Sequence, residues 1–117
     1  MTYADIVTIA LALPGVEEST SYGTPSLKVK GKFMARLKED GDTLVLRVSF
    51  VVRDHLLQKS PHVFFLTDHY RGYPAVLVRM AKVPRGTVSQ LLEDAWREVA
   101  PKTLVKQFDL NPSKPAK

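Results

Sequence analysis

The chain has 117 residues, a formal charge of +5, 44% hydrophobic residues and no cysteine. That length is enough for one hydrophobic core, and the missing cysteine excludes disulfides, thiolate zinc sites and thiol redox chemistry. No apolar run approaches a membrane span, and MTYADIVTIALALPG lacks a basic leader and carries Asp5 in its apolar stretch, so the expectation is a soluble, cytoplasmic protein that needs no metal or cofactor to fold.

Thr2 and Asp5 have the spacing of a helix capping pair, and Tyr3, Ile6, Val7, Ala10 and Leu13 recur on one helical face. A first helix is predicted over about Tyr3 to Leu13, stopped by Pro14-Gly15. Glu17 to Tyr22 reads as a short edge strand. Its adjacent acids, Glu17 and Glu18, point to opposite faces of an extended segment and so form no catalytic pair.

From Thr24 to Val48 the residues TPSLKVKGKFMARLKEDGDTLVLRV alternate with a period of two, the pattern of a three-stranded antiparallel meander. With Lys30-Gly31-Lys32 as the first connection, Val29 faces Phe33, Lys28 faces Met34 and Leu27 faces Ala35. With Glu39 to Asp42 as the second, Leu37 faces Leu44, Arg36 faces Val45 and Ala35 faces Leu46. One face is then Leu27, Val29, Phe33, Ala35, Leu37, Leu44, Leu46 and Val48, and it must be buried. The other carries Lys28, Met34, Arg36, Val45 and Arg47 and is expected to be wet and basic.

A short helix is predicted from Val51 to Lys59. Two strands follow, Val63 to Thr67 and Ala75 to Met80, joined by a loop from Asp68 to Tyr73 with Arg71-Gly72 at its tip. Both strands are too apolar to face water on both sides. Val88, Leu91, Leu92, Ala95, Trp96 and Val99 then make the most regular amphipathic helix in the chain. Ala100-Pro101 breaks it before a terminal turn at Lys102 to Phe108. Together these elements predict an α+β fold, a single antiparallel sheet of two hairpin or meander units with N- and C-terminal helices on one face. One domain is expected over residues 1–110, with a flexible tail at 111–117.

The charge is local. Lys28, Lys30, Lys32, Arg36 and Lys38 lie between Ser19 and Lys38 without an acid among them. Lysines on an exposed strand also discourage edge-to-edge aggregation, which is the alternative reading of the same pattern. His55, His62 and His69 share no helical metal-ligand spacing, and no phosphate-cradling glycine motif occurs, so no metal or nucleotide cofactor is expected. His69, beside Asp68, Tyr70 and Tyr73, is the best placed of the three for proton transfer, but no nucleophile motif accompanies it. What remains is a basic sheet surface whose glycine-containing loops bear Lys30, Lys32 and Arg71, with Tyr22, Tyr70 and Tyr73 nearby.

The fragments LALPGVEES, SYGTPSLKVKGKFMARL, FFLTDHYRGYPAVLVRM and LLEDAWREVAPKTL, in that order and spacing, are similar to the MmcQ/YjbR family of small bacterial proteins. The resemblance spans about Ile6 to Leu104. It implies a frataxin-like α+β fold and a "double wing" mode of DNA binding, in which protruding sheet loops approach the duplex. It transfers no catalytic residues. Asp5 alone on the first helix does not make the acidic ridge that iron binding would need. The function expected is therefore non-enzymatic binding of double-stranded DNA through Lys28, Lys30, Gly31, Lys32, Arg36, Arg47 and Arg71. The alternative is a non-enzymatic protein-interaction module in which exposed Met34 and Val45 give the basic face an apolar centre.

Overall fold

A computed structural model describes residues 1–110; the segment 111–117, where the flexible tail was expected, lies outside the described residues. Helix α1 (Tyr3–Leu11) begins where the capping pair predicts. Thr2 Oγ1 accepts from the Asp5 N–H while the Asp5 carboxylate accepts from the Thr2 N–H at 2.8 Å. Then follow β1 (Val16–Ser21), β2 (Thr24–Val29), β3 (Lys32–Leu37), β4 (Thr43–Arg47), α2 (Phe50–Lys59), β5 (Phe64–Phe65), a 3-10 turn at Asp68–Tyr70, β6 (Ala75–Arg79), α3 (Arg85–Val99) and α4 (Lys102–Leu110). The strands form one six-stranded antiparallel sheet in the order β1-β2-β3-β4-β6-β5. The fold is α+β, as the alternation and the helical spacing require.

Helices α1 and α3 cover one face of this sheet. Ile6, Ala10, Val88, Leu92 and Trp96 pack there with Leu27, Val29, Ala35, Leu44, Leu46, Val76 and Val78 in one core. Trp96 Nε1 donates to the Pro14 carbonyl at 2.7 Å, closing the indole's only polar requirement and pinning the turn after α1 to α3. Phe108 of α4 meets the same indole edge-on, with ring centroids 4.9 Å apart.

The second hairpin of the meander has the expected register, with Ala35 opposite Leu46, Arg36 opposite Val45 and Leu37 opposite Leu44. The first does not. Its turn has two residues, Lys30 and Gly31, both with left-handed φ of 50° and 80°, so Val29 pairs with Lys32 and Lys28 with Phe33. This is the geometry whose twist suits a two-residue hairpin. A β-bulge then restores the phase: Leu27 pairs with Ala35, leaving Met34 as the extra residue. The consequence is an exchange of faces. Met34, expected on the wet side, is 0% exposed in the core beneath the helices, and Phe33, expected in that core, lies on the opposite side of the sheet.

That opposite side, the outer face, is not simply wet. Val45, Ala75, Leu77 and Tyr70 form a second buried cluster, with Phe33, Phe65 and Leu66 against it. Val45, expected to be exposed, is 1% accessible. The apolar character of β6 on both of its sides follows from this: Val76 and Val78 face the helices, and Ala75 and Leu77 face the second cluster.

Candidate functional site

The outer face is hollowed into a cleft of about 460 Å³. Phe33, Arg36, Val45 and Ala75 line it from the sheet, the end of β1 and the turn after it contribute Ser21 and Tyr22, and the loop before β6 contributes His69, Tyr70, Tyr73 and Pro74. Lys28 and Arg47 add two cations, and no Asp or Glu is among the lining residues.

The loop at 68–74 is built by backbone bonds and one arginine. The Tyr70 N–H donates to the Thr67 carbonyl at 3.0 Å, Tyr73 to Tyr70 at 3.1 Å and Ala75 to Tyr73 at 2.8 Å. Arg53 Nη1, reaching across from α2, donates to the carbonyls of Tyr70, Arg71 and Tyr73 at 3.4, 3.0 and 3.0 Å. Its guanidinium lies over the Phe50 ring at 4.8 Å, and α2 itself starts on a Ser49 cap that accepts from the Val52 N–H. The rings so presented form a group. His69 and Tyr70 meet edge-on at 4.7 Å, with Tyr73 6.0 Å from His69 and 6.2 Å from Tyr70.

Arg36 joins this loop to the sheet. It is 5% exposed; Nη2 donates to the Tyr70 hydroxyl at 2.7 Å, and Nη1 donates to Thr24 Oγ1, the Leu37 carbonyl and Glu39 Oε2 at 3.0 to 3.4 Å. Tyr22 lies under the guanidinium at 5.3 Å. Burial opposes the charge, but the bonds to Tyr70 and Glu39 outweigh it and hold the pKa above the ordinary arginine range. A fixed cation therefore stands in the cleft. Among the described residues none of its hydrogen bonds uses Nε.

The other cations expected to contact a ligand are placed differently from one another. Lys30 and Lys32 are exposed at and beside the β2–β3 turn, and Gly31 of that turn lines the cleft with Lys28. Lys28 is opposite Glu17 in register, yet among the described residues none of Lys28, Lys30 and Lys32 has an ion-pair partner within 4.0 Å. Arg47 lines the cleft and is shared with Glu98 of α3 at 3.3 Å. Arg71 is exposed, bonded to Asp68 at 2.8 Å, and does not line the cleft. Arg36 is not the exposed phosphate contact that its position on an open strand predicted; the second cluster and the 68–74 loop bury it. Met34 and Val45, buried on opposite faces, supply no exposed apolar centre. Arg53 was not singled out from the sequence at all, because its partners are carbonyls of a distant loop and no local pattern marks them.

Among the described residues no three of His, Cys, Asp and Glu gather as a metal-ligand set, and no helix is long and apolar enough to cross a membrane. The chemistry this arrangement can offer is recognition: fixed cations for an anion, and ring faces for a planar group.

A family model described as YjbR matches residues 11–98. Uncharacterised proteins of Mycobacterium bovis and Mycobacterium tuberculosis are each 43% identical to this chain over 72 residues, which is 61% of the chain and 56% of each relative. The match thus spans little more than half of their length. A crystal structure of Deinococcus radiodurans protein DR2400, with a DUF419 domain, superposes with a TM-score of 0.69 at 23% identity, covering 81% of this chain and 75% of that one. It shares the fold.

Proposed function

The chain belongs to the YjbR family, and from that membership and the outer-face chemistry we propose that it is a non-enzymatic nucleic-acid-binding protein that holds backbone phosphates on its β2–β3 hairpin. The observation that carries the reading is the set Lys28, Lys30 and Lys32, three cations on one hairpin without ion-pair partners among the described residues, beside a cleft lined by Arg36 and Arg47 and by no acid. Cations left free in this way neutralise phosphates and release condensed counterions, which is the main source of sequence-independent affinity. Binding to double-stranded DNA is the form the family resemblance suggests, with the 30–31 turn and the 68–74 loop as the two protrusions. His69 is packed by the Tyr70 and Tyr73 rings, and this reading gives it no catalytic role.

The test is a duplex-binding titration at two salt concentrations. Replacing Lys30 and Lys32 by alanine should weaken binding and flatten the log–log salt slope by about 1.8 units, at about 0.9 per lost phosphate contact. Replacing Glu93 and Asp94 on α3 by alanine should leave the slope unchanged. Absence of duplex binding at low salt, or an unchanged slope in the lysine variant, overturns the duplex reading.

A further inference from the structure

Backbone phosphates do not explain the rings of the cleft. Tyr22 sits in a two-residue turn at φ 54°, a conformation that penalises side chains other than glycine and, to a lesser degree, asparagine, yet the residue is 86% exposed and has little packing to compensate. Its one ring contact of note is the face it offers to Arg36 at the cleft. Across the cleft Tyr73 is 55% exposed and tilted against His69, both held by a loop that Arg53 fixes from behind. The buried Arg36 guanidinium, paired with Glu39 at 3.4 Å, lines the same cleft, and among the described residues none of its hydrogen bonds uses Nε. Exposed rings on both sides of a fixed positive charge suit a planar group that carries an anion.

A duplex offers phosphates but keeps its base faces stacked inside, so nothing in it uses Tyr22 and Tyr73. An unpaired nucleotide offers both. The cleft's volume of about 460 Å³ falls in the range of small-ligand sites, about 300–1,000 Å³. We infer that the outer-face cleft is a site for one nucleotide with an unpaired base, the base stacked on Tyr22 or Tyr73 and the phosphate directed to Lys28 and Arg47, beside the buried Arg36 charge. That the nucleotide belongs to a strand rests on the nucleic-acid reading above; the cleft chemistry is the same for a free mononucleotide.

The experiment compares a short mixed-sequence DNA single strand, the blunt duplex made from it, and free deoxyadenosine 5′-monophosphate, each titrated into wild type, Tyr22→Asn, Tyr73→Ala and the Lys30/Lys32 alanine pair. Asparagine tolerates the left-handed turn, so Tyr22→Asn removes the ring while the hairpin stays folded, which a thermal melt verifies. The single strand should bind more tightly than the duplex. Tyr22→Asn or Tyr73→Ala should weaken it about 5- to 150-fold, the range for one lost base–ring stack, with duplex binding unaffected. Equal binding of strand and duplex, with wild-type affinity in both ring variants, overturns the inference; if the lysine pair still weakens both forms, the nucleic-acid reading survives without it. Mononucleotide binding that the ring variants abolish, with neither strand form bound, upholds the nucleotide cleft and overturns the nucleic-acid reading. No binding of any of the three probes overturns both.

Discussion

Arg36 and Tyr70, 34 residues apart, are joined by a 2.7 Å hydrogen bond from Nη2 to the phenolic oxygen, and this bond fastens the loop at 68–74 to the floor of the sheet. The same guanidinium anchors Thr24 and Glu39, so three separate segments converge on one buried cation. The loop and the hairpin thereby keep a fixed spacing across the cleft.

Tyr70→Phe removes the acceptor and leaves a charged donor unpaired at a buried position. Hydrogen bonds to charged groups contribute about 1.5–3 kcal/mol, and the expected loss of stability in urea unfolding is of that order. Amide exchange at Tyr73 and Ala75, whose N–H groups close the loop, should accelerate. A change below about 0.5 kcal/mol would show that the bond is dispensable.

Arg53→Lys keeps the charge but loses the guanidinium whose Nη1 meets the carbonyls of Tyr70, Arg71 and Tyr73 and whose plane lies over Phe50. The expected cost is about 1–3 kcal/mol. Hydrogen exchange should speed up in the loop and leave the helix-covered core protected; uniform loss of protection across α3 would contradict a local role.

Trp96→Phe deletes the donor to the Pro14 carbonyl, which lies 82 residues earlier in the chain. The bond is part-buried, so its loss is expected at the lower end of the range of about 1–3 kcal/mol for an unsatisfied buried group, and the space left by the smaller ring adds to it. Denaturant unfolding measures the sum. An unchanged midpoint would mean that the turn after α1 is held by other contacts.

Asp40 governs part of the acid stability. Its carboxylate accepts from the Asp42 and Thr43 N–H groups and from Thr43 Oγ1, and its pKa is lowered below the ordinary 3.8, chiefly by the Asp42 backbone bond. A carboxyl whose folded pKa is lowered stabilises the fold above its unfolded value, and that stabilisation is lost as pH falls through the folded value. Asp40→Asn should therefore be less stable than wild type at neutral pH, with the gap closing in acid below 3.8. A gap that is constant with pH would assign the effect to something other than the carboxylate's charge.

The parts of the fold legible in the sequence are those set by neighbours along the chain. Thr2 and Asp5 cap α1 because three residues separate them, and Leu91, Leu92, Ala95 and Trp96 are buried because helical spacing puts them on one stripe. Ala35 opposite Leu46 follows from a loop of known length. The bulge at Met34 was not legible: in KFMARL a slip of one residue still reads as a strand, and only the packing beneath α3 decides that Met34 and Ala35 both turn inward. Arg36 looked exposed for the same reason, since what buries it arrives from residue 70. The basic hairpin and the tyrosines were visible as composition; their gathering into one cleft depends on Arg53, whose bonds to the loop leave no mark in either segment.

The extra residue in β3 lets one short strand place two consecutive side chains in the core and still turn a ring to the cleft. With strict alternation from Ala35 backwards, position 33 would point into the helical core and Met34 outward, and a flexible thioether would stand where a rigid ring now does. The bulge parts the strand into two phases, one for the core at Met34 and Ala35 and one for the cleft at Phe33 and Arg36. Relatives of this chain are therefore best compared by the length of the segment between the 30–31 turn and Arg36: those with one residue fewer would run in strict alternation, keeping a side chain on the cleft at the place of Phe33 and losing the second core residue that Met34 supplies. Indel position, more than residue identity, becomes the marker to follow when asking which members of the family seat two neighbouring residues of this strand in the core.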